Sequence, residues 1–225
     1  MKSNILFSWK KNAEEWNLVV EKELIPSRKF TNKAIVDTLV SSRLGKVADL
    51  GCGEGWLTRE MTKLGITAHG FDATAELIQF AQKKGPEAYH ILSFERIAEG
   101  EPLPHSPYDG AVFNFSLYLK DHTAPLLQRT LECLTNNGIL LIQTLHPFYL
   151  MENGFGYQSQ WLSNSWEGLS GNFSYGHPWY ARTLQDWIHL LAQIPNTSFE
   201  VQEITNDAKR PVSLLLTLKK HYENN

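Results

Sequence analysis

An acid, three closely spaced glycines and a second acid one strand later form the part of this chain best equipped for chemistry. The first group is Asp49-Leu50-Gly51-Cys52-Gly53-Glu54-Gly55-Trp56, and Asp72 closes the next apolar run in Gly70-Phe71-Asp72. Glycines at 51, 53 and 55 let the backbone turn tightly and let a ligand come close where any Cβ would collide. A carboxylate at the tip of the following strand, Asp72, is placed to accept both hydroxyls of a ribose. A glycine-rich turn with a distal acid predicts a nucleoside cofactor.

The glycine spacing separates two kinds of nucleoside. A dinucleotide turn reads G-x-G-x-x-G and aims a helix N-terminus at a pyrophosphate. Here the glycines alternate with single residues, and Trp56 stands where the late fingerprint glycine belongs. An indole there crowds a pyrophosphate but tolerates a compact amino-acid tail. An acid followed by G-x-G-x-G resembles the first motif of the class I S-adenosylmethionine-dependent methyltransferases, and the resemblance runs from about Val47 to Lys219. The combination Cys52-Gly53-Glu54-Gly55-Trp56-Leu57, Asn114-Phe115, Gln143-Thr144-Leu145-His146-Pro147 and Trp179-Tyr180-Ala181-Arg182-Thr183-Leu184 is similar to a bacterial small-molecule branch. In its cofactor domain that branch is close to the ubiquinone and menaquinone biosynthesis type.

The resemblance implies S-adenosylmethionine as cofactor, S-adenosylhomocysteine as product, and a set of contacts. Gly51 and Gly53 would hold the methionine end, with Asp49 orienting the turn and attracting the ammonium. Asp49 equally suits a buried acid that accepts loop N–H bonds, and Asp72 can also cap the helix starting near Thr74. Ala73 and Phe94 would flank the adenine, while Ser93 stands where many relatives carry an acid, so backbone groups would serve the adenine amine. Asn114 and Phe115 would pack beside the methyl, although a phenylalanine at 115 also suits ordinary core. Arg28 could pair with the cofactor carboxylate or be an exposed charge.

The acceptor side is written in aromatics. Residues 147–181 hold ten of the 26 aromatics of this 225-residue chain, and no Lys or Arg occurs between Thr130 and Ala181. Glycines at 154, 156, 168, 171 and 176 argue against one continuous helix there. An aromatic lid inserted after strand five is expected, with a small, partly apolar or aromatic acceptor beneath it. An aromatic box also suits an amine through cation–π attraction, so oxygen and nitrogen acceptors stay open. Without cationic residues the segment does not suit DNA, and a modified tRNA base is disfavoured on the same ground. His146, in Thr144-Leu145-His146-Pro147, and His177, in Gly176-His177-Pro178, are the candidate bases for a hydroxyl acceptor. His146 also fits a turn histidine bonded to backbone. No cluster of His, Cys or carboxylates has metal-ligand spacing.

The elements that must position these residues follow from periodicity. Leading helices are expected at 7–23 and 29–42, then strands at 46–50, 66–71, 88–92, 108–113 and 139–144 alternating with helices at 55–64, 74–84 and 122–134. Gly100 to Pro104 reads as a loop, and Asn136-Asn137-Gly138 as a turn. Thr183 to Gln193 is a capped helix, followed by antiparallel strands at 198–204 and 212–219. This is an α/β, Rossmann-like, doubly wound and mostly parallel seven-stranded sheet with an antiparallel edge strand, folded as one domain over 1–225. Its parts are leading helices (1–45), a cofactor-binding core (46–146), the aromatic lid (147–181) and a closing helix with two strands (182–225). Asp72, Ser93, Asn114 and His146 fall at carboxyl strand ends and should converge on one cleft.

Bulk properties bound the rest. Net charge is −3 and the pI about 6.2, so no overall basic field attracts nucleic acid or anionic membrane. The apolar runs are too short to span a bilayer, and Met1 to Phe7 is too short for a secretory signal. Two cysteines, Cys52 and Cys133, fit a reduced cytoplasmic compartment. The competing readings are a nicotinamide-dependent oxidoreductase, disfavoured by Trp56 and the glycine register, and a non-catalytic binder of the same cofactor.

Overall fold

Strands in the middle of this chain are apolar at nearly every position because both faces of the sheet are covered. A computed structural model describes residues 2–221. Residue 1 and residues 222–225, which the expected domain limits include, lie outside the described residues. Two leading helices, α1 (Lys2–Glu21) and α2 (Arg28–Ser42), precede the alternating core. The core runs β1 (Lys46–Leu50), α3 (Trp56–Lys63), β2 (Thr67–Asp72), α4 (Ala75–Lys84), β3 (Ala88–Ile91), α5 (Phe94–Ala98), β4 (Tyr108–Asn114), α6 (Thr123–Glu132) and β5 (Leu134–Leu145). Beyond it come α7 (Phe148–Glu152), β6 (Gln160–Leu162), β7 (Trp179–Ala181), α8 (Leu184–Ala192), β8 (Thr197–Thr205) and β9 (Pro211–Lys220).

Seven strands form one sheet in the order β3-β2-β1-β4-β5-β9-β8. The first five are parallel, and β9 is the reversed strand, pairing antiparallel with β5 on one side and β8 on the other. The expected reversed ending is thus present, with β8 outermost. Alternate residues of each strand go to opposite faces. Val47, Val112, Leu141 and Leu215 meet Ile35 and Leu39 of α2 and Leu57 and Met61 of α3. Ala48, Phe113, Ile142 and Leu216 meet Leu127 of α6 and Trp187 and Leu191 of α8. Because β1 and β4 are neighbours while the chain leaves them in opposite directions, the crevice at their carboxyl ends is the switch point where such sheets bind ligands.

The departures from expectation are local. Helix α5 follows Ser93, whose Oγ accepts from the Arg96 backbone N–H at 3.4 Å, where no helix was expected. Helix α1 begins at residue 2 rather than near 7. Asn136-Asn137-Gly138 does turn, with Asn137 at φ 61°, but inside the bounds of β5. There Leu134 pairs with Tyr108 and Ile139 with Gly110, so the intervening residues bulge out. Between β5 and α8, the aromatic segment is neither one helix nor all loop. It forms the single-turn α7 and a small two-stranded sheet, β6 against β7. Thr183 caps α8 as its sequence implies, its Oγ1 accepting from the Asp186 N–H at 3.2 Å.

Candidate active site

The turn after β1 carries three successive left-handed glycines: Gly51 at φ 77°, Gly53 at φ 57° and Gly55 at φ 81°. A Cβ on Gly51 would lie 2.4 Å from the Ser116 Cβ, so the turn presses against the loop that leaves β4. Ser116 seals that approach, its hydroxyl donating to the Leu50 carbonyl at 2.9 Å. Phe94 closes a third side, with Cζ 3.1 Å from the position of a Gly51 Cβ and its ring edge-on to Phe113 at 5.3 Å.

Four acidic or amide groups ring the turn. Asp72 accepts the Gly53 N–H at 3.0 Å on one oxygen and the Thr74 N–H at 2.7 Å on the other. Turn and strand tip are therefore fastened together; the cap of α4 is Thr74 rather than Asp72, which holds the Thr74 N–H from two residues earlier in the chain. Burial pushes its carboxyl up, against the lowering effect of those backbone bonds. Asp49 is buried beneath, with Oδ2 accepting from the Thr58 hydroxyl at 2.7 Å. Burial first, then the neighbouring acids Asp72 and Glu54, raise it to about 7. Glu54, fully buried, takes Arg59 at 2.8 Å and Lys84 at 3.1 Å on Oε2, and Lys84 reaches on to Glu21 of α1 at 3.0 Å. Asn114 ends β4 with its Oδ1 buried and without a hydrogen-bond partner among the described residues. After it the backbone turns over at Phe115, φ 53°, whose N–H donates to the Gln143 carbonyl at 2.8 Å.

Not every residue named from the sequence points the same way. Ala73 is half-buried between Asp72 and the buried Thr74, and Ser93 is occupied as the α5 cap. Arg28, first residue of α2, stacks its guanidinium over the Trp56 ring at 4.7 Å, and Trp56 itself packs onto the α2-side core. The indole therefore has a seat of its own. His146 uses both ring nitrogens: Nε2 lies 2.8 Å from Glu203 Oε1 on β8, and Nδ1 accepts the Phe148 N–H at 3.0 Å. The ring so links the start of α7 to β8.

His177 is placed differently. It is fully buried, its Nδ1 donates to the Pro178 carbonyl at 3.0 Å, and its Nε2 has no partner among the described residues. The Nδ1 bond fixes the neutral tautomer with the lone pair on Nε2, and burial holds the imidazole below the usual histidine value. Around it stand Tyr118 at 5.0 Å, Trp166 at 5.8 Å and Trp9 at 6.3 Å between ring centroids. Trp166 stacks on Phe173 at 4.7 Å, and Trp16 meets Trp9 edge-on at 5.3 Å. Tyr118 is tied down twice, its hydroxyl donating to the Phe115 carbonyl at 2.8 Å and its own carbonyl accepting the Tyr180 N–H at 2.9 Å. This aromatic cluster and the glycine turn are adjacent. Trp16 Nε1 lies 3.6 Å from the position of a Gly53 Cβ, and Asp72 together with burial pushes up the Tyr118 hydroxyl.

Sequence reasoning missed half of this cluster. Trp9 and Trp16 stand seven residues apart on α1, one stripe of a helix, and that spacing was the available signal. Ser8 and Asn12, on the same stripe, clip α1 to the aromatic segment. Trp166 Nε1 donates to Ser8 Oγ at 2.9 Å, and Asn12 exchanges bonds with the Ser174 backbone at 2.7 and 2.9 Å. Among the described residues no His, Cys, Asp and Glu group is arranged to hold a metal ion.

Comparison with known proteins converges on one family. A family model described as a methyltransferase domain matches residues 28–194. An uncharacterized methyltransferase of Schizosaccharomyces pombe is 22% identical over 191 residues, covering 81% of this chain and 69% of that protein. A malonyl-[acyl-carrier protein] O-methyltransferase of Halalkalibacterium halodurans is 29% identical over 117 residues, 48% of this chain and 43% of its own length. Among solved structures, the 1,6-didemethyltoxoflavin-N1-methyltransferase of Burkholderia thailandensis, with bound 1,6-didemethyltoxoflavin and S-adenosylhomocysteine, superposes with a TM-score of 0.69 at 16% identity. It covers 98% of this chain and 89% of that one. The plantazolicin methyltransferase BamL, in complex with a triazolic desmethylPZN analog and SAH, gives a TM-score of 0.69 at 15% identity, covering 98% and 95%. At these identities the superpositions carry the fold, and the family match carries the chemistry. The oxidoreductase reading and that of a non-catalytic binder are set aside, for the chain belongs to the methyltransferase-domain family and is a class I S-adenosylmethionine-dependent methyltransferase.

Proposed function

We propose that this enzyme methylates a small, partly apolar or aromatic acceptor held in the chamber between α1 and the 164–177 segment, with His177 as the base. The observation that carries the reading is the buried His177 Nε2, a lone pair with no partner among the described residues, in an aromatic chamber beside the cofactor turn.

The residues present suit the cofactor. Gly51 and Gly53 leave the turn without side chains. Each Asp72 oxygen, having accepted one backbone N–H, keeps a lone pair for a ribose hydroxyl. The unpaired Asn114 Oδ1 and the buried Asp49 offer acceptors to an ammonium. Ala73 and Phe94 flank the space beside the strand tips, as befits an adenine, while the Arg28 guanidinium is taken up by the Trp56 ring. Bound S-adenosylmethionine would supply an electrophilic methyl and a neutral thioether leaving group. The protein contributes alignment, exclusion of water and a proton acceptor. His177 Nε2 takes the proton of an acceptor O–H or N–H as the new bond to carbon forms, and Tyr118 and Phe115 fix the floor on which that acceptor rests.

Charge and wall chemistry support a small molecule over a nucleic acid, and helix length gives no sign of a membrane partner. Residues 131–180 contain no Lys or Arg, the walls are rings, and no described helix is long and apolar enough to cross a membrane. The toxoflavin-type neighbour was solved with a small heteroaromatic acceptor in place. We read the protein as cytoplasmic, in keeping with its two free thiols.

The test is methyl transfer from labelled cofactor to a panel of phenols, enols and N-heteroaromatics. At least one should be labelled. His177→Gln should bind S-adenosylhomocysteine normally and lower turnover by roughly 10²–10⁴-fold. Because burial holds His177 below the usual histidine value, the acid limb of kcat/KM should fall below pH 6.5 in the native enzyme and vanish in the variant. Label entering only RNA or protein, or an undiminished rate in His177→Gln, refutes the assignment.

A further inference from the structure

We propose that Trp16 is a cofactor-binding residue whose indole N–H donates a hydrogen bond to the carboxylate at the amino-acid end of the cofactor. The inference rests on the cofactor turn assigned above and goes beyond it, since α1 lies outside the stretch matched by the family model.

The argument begins with an unused donor. Trp16 Nε1 makes no hydrogen bond among the described residues, yet it lies 3.6 Å from where a Cβ on Gly53 would sit. Gly53 is in the left-handed region, φ 57°, in the middle of the turn that has to accommodate the amino-acid tail. A donor at hydrogen-bonding range from that space faces whatever occupies it. The tail carries one cation and one anion. Nearby side-chain carboxylates, Asp49, Glu54 and Asp72, suit the ammonium and the hydroxyls but repel the carboxylate. A carboxylate over this turn needs N–H donors. Arg28 has its guanidinium laid over the Trp56 ring, whereas the Trp16 N–H is free of competing bonds.

Trp16 is also held in place. Its ring meets Trp9 edge-on at 5.3 Å, and α1 is fastened at three points. Lys10 pairs with Glu76 of α4 at 3.1 Å, Glu21 with Lys84 at 3.0 Å, and Asn12 with the backbone of Ser174 at 2.7 and 2.9 Å. Lys84 joins this anchoring to the turn itself, because the same ammonium reaches the buried Glu54 between Gly53 and Gly55. The indole is thus presented at a fixed height above the turn, with its ring facing the acceptor chamber and its N–H facing the cofactor.

Trp16→Phe removes the donor and keeps an aromatic ring. Calorimetry with S-adenosylhomocysteine and with 5′-methylthioadenosine, which lacks the amino-acid end, separates the possible roles. The substitution should weaken S-adenosylhomocysteine by roughly 10- to 100-fold, the range for a hydrogen bond to a charged group, and leave 5′-methylthioadenosine unchanged. Unchanged binding of the truncated ligand also reports that the variant is folded. Equal losses for both ligands, or no loss for either, overturn the proposal. Failure of the unsubstituted protein to bind S-adenosylhomocysteine would remove the cofactor assignment, and this one with it.

Discussion

Among the side chains of the site whose protonation the fold has displaced, Asp49 is the most informative. Asp49 is raised to about 7 by burial and by Asp72 and Glu54, opposed by the hydroxyl and backbone N–H of Thr58. A cationic ligand placed beside it must lower that value, so cofactor binding releases a proton where Asp49 is protonated. Affinity for S-adenosylmethionine should therefore fall as pH drops below 7, by up to about tenfold per pH unit for one linked proton. Titration in buffers of different ionisation enthalpy should show the proton release near pH 6, and Asp49→Asn should abolish it. An affinity independent of pH between 5.5 and 8 would place the cofactor's ammonium elsewhere. Residue types at fixed spacing made Asp49, Asp72 and the glycines legible, because a turn's chemistry is local. The two histidines were not separable from sequence, since both stand before a proline after a strand or turn. Only tertiary packing gives His146 its Glu203 and leaves the His177 Nε2 without one.

At the scale of elements, the glycine turn is a fitted joint between β1, β2 and the loop after β4. Gly51 and Gly65 share nearly the same backbone, φ 77° and 81°, but a Cβ would lie 2.4 Å from Ser116 at the first and meet nothing within 4 Å at the second. Gly65→Ala should thus cost only the left-handed strain, about 1–2 kcal/mol, and leave cofactor affinity intact. Gly51→Ala adds steric overlap, so its loss in urea unfolding should exceed that of Gly65→Ala by about 1–3 kcal/mol, with weakened cofactor binding. Equal losses would mean that Ser116 yields freely. The periodicities that place the strands also survive at this scale: Val47 against Ala48, and Val112 against Phe113, divide between the two faces as period two requires. What escaped was α5, only five residues long, and the β6–β7 pair, whose partners lie 17 residues or more apart. Short elements stabilised by tertiary contact leave little periodic trace.

Across the whole molecule, displaced groups work against one another. On the sheet face opposite α3, His69 sits with His105 at 4.5 Å and His90 at 6.3 Å between ring centroids. Burial, then His105, Lys46 and His90, lower His69 to about 4. Between pH 4 and 6.5 the unfolded chain binds more protons at this position, so stability rises with pH. Asp49 has the reverse effect between 3.8 and 7, because there the folded chain holds the proton. Against the unsubstituted protein, His69→Asn should make the slope of unfolding free energy with pH more negative in this window. Asp49→Asn should make it more positive. Urea midpoints at four pH values would decide, and slopes that move together would void the pairing. The larger consequence lies in where the proposed acceptor chamber gets its walls. Two of its indoles come from α1, and the match to the family model starts only at residue 28. On that proposal, proteins that share this sheet would diverge in what they methylate by exchanging a single leading helix. Grafting that helix, rather than altering the sheet, is the economical route to redirecting the enzyme.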